Sequence, residues 1–143
     1  MTSLKLDPRF VPPEWQDQED CRTVLQMIDR VGDKWTVMVV SVLATGPVRF
    51  NAIMRAIHGI SHRMLTLTLR GLEQDGLVKR TDYETVPPKV EYELTDLGRS
   101  LIEPLTGLGL WVAHNRLAIE KARLEFVRKQ EAATGAMRSS LVA

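Results

Sequence analysis

The chain has a single cysteine in 143 residues, so no intrachain disulfide can brace it. Its fold must therefore rest on an apolar core, and a reducing cytoplasm is the compartment expected. Long apolar runs are also missing. Even TVMVVSVLA (36–44) is only nine residues, whereas a membrane helix needs roughly 20. The opening MTSLKLDPRFVPPEW has no basic stretch followed by an apolar one, so no secretory signal is read there. Histidines are few: His58, His62 and His114 stand at no metal-ligand spacing with Cys21, and there is no glycine-rich phosphate loop. Ser61 and His62 are neighbours, which on a helix point about 100° apart and make a poor nucleophile–base pair. No catalytic residue, metal or cofactor is expected, and the chain is not read as an enzyme.

What is present is an ordinary globular composition, 44% hydrophobic and 26% charged, with room for one domain. The net charge of +1 hides an uneven distribution. Residues 1–20 carry a net of −3, while residues 49–80 carry +4 from Arg49, Arg55, Arg63, Arg70, Lys79 and Arg80 against Glu73 and Asp75. A local basic patch is what phosphate binding needs, whatever the average.

Residues 1–16 hold Pro8, Pro12 and Pro13 without periodicity and are expected to form an extended arm. From Asp17 to Val31 the apolar residues Val24, Leu25, Ile28 and Val31 fall at helical spacing. Asp33 can cap a second, mostly apolar helix with Trp35, Val39, Val42 and Leu43 on one side, which Thr45-Gly46-Pro47 ends. Val48-Arg49-Phe50 reads as a short strand, and Asn51 as the cap of a helix through Ile57. His58-Gly59 makes a turn, Ser61 caps a helix running to about Gln74, and Gly76 stops it.

Leu77–Tyr83 and Val90–Leu94 are strand-like and joined by a tip containing Pro87 and Pro88. Thr95-Asp96 opens a long helical region to about Arg128, which Pro104 and the Gly107/Gly109 pair are expected to kink or split. Residues 131–143 lack periodicity and are expected to be disordered. The fold class is thus mainly α with a small β-hairpin wing: an arm (1–16), a winged helix domain (17–130) and a tail (131–143).

On the helix from residue 61 to 74, Met64, Leu65, Thr68, Leu69 and Leu72 share one side and suit packing. Arg63, Thr66, Arg70 and Gln74 share the other. Arginine bonds guanine in bidentate fashion, and a threonine methyl can touch thymine. The first turn of such a helix enters a DNA groove first, so Ser61, His62, Arg63 and Thr66 are the candidates for reading bases. Arg49, Asn51, Arg70, Lys79, Arg80 and Lys89 are candidates for holding the phosphate backbone, which supplies affinity rather than sequence choice.

The ordered set GDKW (32–35), RFN (49–51), ISHRML (60–65), LRGLEQDGLVKR (69–80), PPKVEYELTDLG (87–98) and Trp111 resembles the HxlR-type transcriptional regulators, relatives of the MarR group. The resemblance covers roughly residues 21–112. It implies a winged helix-turn-helix regulator of a bacterium or archaeon, a homodimer on a pseudo-palindromic operator in double-stranded DNA, most often a repressor. It also implies dimerisation through N- and C-terminal helices. The stripe Leu97, Leu101, Leu105, Leu108 and Val112, with Trp111 beside it, suits that role.

In some members of that family an N-terminal cysteine, often followed by proline, senses oxidants or electrophiles. Cys21 stands near that place, but Arg22 follows it, and it lies one residue further from GDKW than usual. As the single cysteine, it would act through an intersubunit disulfide, a mixed disulfide or alkylation; the other reading is an inert small hydrophobe. Two further readings stand beside the redox-controlled regulator. One is a winged helix used only for protein contacts. The other is control by a small ligand in the dimer interface, with Trp15, Trp35, Trp111 and the methionines as lining or as plain core.

Overall fold

Capping side chains and glycines set the boundaries of the elements. In the computed structural model, which describes residues 7–9 and 18–142, helix α1 covers Gln18–Gly32 and α2 Lys34–Leu43. The Asp33 carboxylate opens α2 by accepting from the Thr36 amide at 3.2 Å. A two-residue strand β1 (Val48–Arg49) leads into α3 (Phe50–Ala56), and α4 covers His62–Gln74. Gly59 (φ 85°) makes the turn between α3 and α4, and Gly76 (φ 75°) ends α4, both in the left-handed region where a side chain is strained. Strands β2 (Val78–Tyr83) and β3 (Lys89–Leu94) form the hairpin, α5 is a single turn (Asp96–Arg99), and α6 runs from Ile102 to Val142.

The sheet has the order β1–β3–β2, all antiparallel, with Arg49 opposite Glu91, and Lys79 and Arg80 opposite Glu93 and Tyr92. By its contacts the chain divides into two units, one ending at Ile102 and one formed by α6 from Glu103 onward. The core belongs to the first unit. Val39, Val40 and Leu43 of α2 meet Ile53, Ile57 and Ile60, the inner face of α4 (Leu65, Leu69, Leu72), and Leu77, Val78 and Leu94 at the base of the hairpin.

One junction ties these parts together. The Leu77 amide donates to the Leu72 carbonyl (2.9 Å), and the Leu77 carbonyl accepts from the Thr95 amide (3.1 Å). The Thr95 hydroxyl donates to the Gly76 carbonyl (2.6 Å) and accepts from the Gly98 amide (3.1 Å), which caps α5. Gly98 lies so close that a side-chain carbon there would overlap the Leu77 carbonyl oxygen.

Several sequence expectations are corrected. The buried face of α2 is Thr36, Val39, Val40 and Leu43, while Trp35 and Val42 are half-buried. Trp35 instead carries the Lys34 ammonium 4.4 Å over its ring. Asn51 does not cap α3: Arg49, held extended by its pairing with Glu91, occupies the cap position without a side-chain bond, and the helix begins at Phe50. The long helical region breaks at Ser100–Leu101, before Pro104 rather than at it. Pro104 falls in the first turn of α6, where its missing N–H costs no helical bond, and Gly107 and Gly109 lie within a continuous helix. Residues 131–142, expected to be disordered, continue α6. The N-terminal arm lies outside the described residues apart from 7–9.

Gly98→Ala is expected to lower unfolding free energy by about 1–3 kcal/mol, the usual range for overpacking. Because the obstacle is backbone, the neighbours cannot give way cheaply. A thermal melt equal to that of the unchanged chain would show that the junction tolerates the extra carbon.

Candidate nucleic-acid interface

Helix α4 is amphipathic in the manner its sequence dictates. Leu65, Thr68, Leu69 and Leu72 are buried, and Arg63, Arg70 and Gln74 are exposed on the far side. Met64, expected among the packed residues, is at the margin of exposure. The burial of one face fixes the helix and leaves the other open to a ligand.

The four candidates for reading bases differ in what they have free. The Ser61 hydroxyl accepts from the Met64 amide (3.1 Å), so its oxygen is engaged in capping the helix. The Thr66 hydroxyl donates to the His62 carbonyl (2.8 Å), which leaves its methyl as the group to offer a thymine. His62 lies against Phe50, the first residue of α3, with ring centroids 4.8 Å apart and tilted by 54°. Arg63 is exposed and has no partner among the described residues. It brings the largest set of uncommitted donors of the four.

The candidates for backbone contact separate into two groups. Arg70 and Arg80 line one hollow with Glu73 and Gln74, where α4 meets the hairpin. Arg80 also pairs with Asp82 of its own strand at 3.2 Å, which shares out part of its charge. Arg49, Asn51 and Lys89 line a second hollow of about 600 Å³, between the start of α3 and the hairpin tip. Lys79 is exposed on β2 and lines neither. Arg55 joins the second group, four residues after Asn51 on the same face of α3. In the sequence Arg55 belongs to the basic patch without being marked as a contact; its spacing from Asn51 is the available signal.

The hairpin tip is closed by Thr85, whose hydroxyl donates to the Pro87 carbonyl at 2.8 Å. The Tyr83 hydroxyl donates to the Glu91 carboxylate at 3.2 Å. The charge of Glu91, and then that hydrogen bond, raise the Tyr83 phenol above its ordinary value and keep it a neutral donor.

Cys21 is a free, half-buried thiol in α1. On the same helix Leu25 and Ile28 are about half exposed. Of the residues assigned to the dimer stripe, Leu97 is on α5, Leu101 in the turn after it, and Leu105, Leu108, Trp111 and Val112 on α6. The break between α5 and α6 thus divides the stripe. Leu108, Trp111 and Val112 are exposed in the single chain. No helix among the described residues is long and apolar enough to cross a membrane.

Residues 30–120 match the HxlR-like helix-turn-helix family. The chain is 41% identical over 115 residues to the HTH-type transcriptional regulator YdeP of Bacillus subtilis, covering 80% of this chain and 88% of that one. Among solved structures it is similar to the redox regulator HypR in its reduced form. That likeness has a TM-score of 0.64 and 41% identity, over 69% of this chain and 98% of the other. It is also similar to diamide-treated YodB of B. subtilis, with a TM-score of 0.59 and 32% identity over 66% and 93% of the two chains.

Replacing Ser61 tests whether its hydroxyl works as a cap. Ser61→Ala is expected to cost about 0.5–2 kcal/mol of stability and Ser61→Gly only a few tenths. Denaturant unfolding of both variants measures this, and equal losses would remove the cap as the cause.

Proposed function

This chain belongs to the HxlR-like helix-turn-helix family and is a transcriptional regulator of the helix-turn-helix type; from that premise we propose that it acts in the cytoplasm as a homodimeric repressor on a pseudo-palindromic operator. The observation that carries the reading is Arg63. It is an exposed guanidinium with no partner among the described residues, on the first turn of a helix whose opposite face is buried. Helix α4 lies in the major groove, where Arg63 bonds a guanine and Thr66, His62 and Ser61 add contacts at its first turns. Arg70 and Arg80, and the group Arg49, Asn51, Arg55 and Lys89, hold phosphates on either side, with Lys79 on the hairpin.

Dimerisation through α1 and α6 is supported by their exposed Leu25, Ile28, Leu108, Trp111 and Val112. In a twofold dimer the two α4 helices meet successive major grooves about 34–36 Å apart. Control by oxidants through Cys21 is supported by its half-buried place on α1 and by the redox regulator HypR among similar structures. As the single cysteine, it acts by a bond to the partner subunit, to a small thiol or to an electrophile.

Selection of duplexes from a randomised pool by the purified chain tests the whole reading. A twofold-symmetric enriched sequence is expected, bound less tightly as salt rises. If nothing is enriched at low salt, the module serves protein contacts instead. On the enriched duplex, Arg63→Ala is expected to cost about 1–3 kcal/mol and to relax preference at one base pair per half-site. Arg70→Ala is expected to weaken all sequences alike and reduce the salt slope by about one per subunit. Diamide is expected to release the duplex from the unchanged chain but not from Cys21→Ser. Equal release from both would exclude the thiol.

A further inference from the structure

Arg30 stands in the last turn of α1 and is not part of the basic face of α4. Its Nε donates to the Asp75 carboxylate at 2.8 Å, across 45 residues of sequence. The two side chains are only 32% and 24% exposed, so the pair is shielded from much of the solvent. Asp75 is the residue that ends α4, and its amide donates to the Gly71 carbonyl at 3.0 Å. A cation at that end also meets the negative pole of the helix.

Gly71 completes the arrangement. It is buried one turn before Asp75, and a side-chain carbon on it would overlap the Arg30 guanidinium. Glycine inside a helix costs about 1 kcal/mol relative to alanine. The chain therefore carries a helix-weakening residue at the spot where the arginine from α1 lies on α4. α1 otherwise packs against α2.

We propose that Arg30 is a positioning residue for DNA recognition, clamping the C-terminal end of α4 to α1 through Gly71 and Asp75. At 1.5 Å per residue, Asp75 is about 18 Å along the axis from Arg63. A small tilt at the clamped end thus becomes a displacement of the base-reading end. α1 is also the helix that carries Cys21 and the exposed Leu25 and Ile28. The clamp is then the route by which a change at α1 reaches the groove. This rests on α4 being the recognition helix.

Two variants test it. Arg30→Met keeps the length of the stem and removes the charge. Gly71→Ala leaves Arg30 in place but fills the spot where it lies; the obstacle is the far end of a flexible side chain, so the fold is expected to persist. Both are expected to bind the enriched duplex about five-fold or more weaker, the lower range of coupling between sites. Their salt slopes are expected to match that of the unchanged chain, and Gly71→Ala to melt no lower than it. The double variant is expected to bind no worse than either single one.

A salt slope reduced by about one in Arg30→Met would make it a phosphate ligand and overturn the proposal. Unchanged affinity in both variants, or affinity losses that simply follow losses in melting temperature, would overturn it as well. Amide exchange over residues 72–76 without DNA is expected to quicken in both variants. This measurement decides the clamp even if no duplex is bound, in which case the proposed function fails separately.

Discussion

The backbone amide and carbonyl of Leu77 are the constraint on which the rest of the first unit depends. Its amide closes the end of α4, and its carbonyl receives Thr95, the residue that leaves β3. Three directions of chain are thereby fixed at one point: the axis of α4, the plane of the hairpin and the start of α5. Gly98 lets the third come within contact distance of the carbonyl, and the Thr95 hydroxyl bridges what remains by donating to Gly76 while accepting from Gly98. Such a junction leaves no backbone polar group of Leu77 unpaired although the residue is buried. The angle between helix and wing, which decides whether both can reach one duplex, follows from it.

Around that frame the polar groups divide between structure and recognition. Ser61 and Thr66 have their hydroxyls committed to α4 itself, and His62 is against Phe50. These contacts order the backbone of the first turn, which carries Arg63, without drawing on the arginine's donors. The cations gather in two hollows, one where α4 meets the hairpin and one between α3 and the hairpin tip. Their charge is nearly cancelled over the whole chain, whose net charge is only +1.

Much of this was legible in the sequence because local chemistry decides it. The period of Leu65, Leu69 and Leu72, the cap at Ser61 and the stop at Gly76 each act within a turn or two of chain. The failures have other origins. Asn51 is a better cap than Arg49 by its side chain, but strand pairing with Glu91 set where α3 begins. Pro104 breaks a helix only when it has a preceding turn to disrupt, and here the break at Ser100–Leu101 came first. The tail lacks apolar periodicity, yet its Ala, Met, Arg, Leu and Glu are good helix formers and extend α6 without it. Arg30 and Asp75 are far apart in sequence, and no spacing announces that they meet. The family was readable from five short motifs and Trp111 in order, whereas the contacts that orient them were not.

The sheet order leaves β2 at an edge, with a row of backbone donors and acceptors that β3 does not use. An open edge is a template on which another chain can add a strand, and proteins discourage this with charge. Lys79, Arg80 and Asp82 occupy three successive-but-one or adjacent places along β2. They make edge-to-edge pairing of two wings unfavourable, whatever they do on a phosphate. On the proposed function the wing has two duties at once: loss of charge there would weaken its hold on phosphates and also open the edge to pairing with another chain.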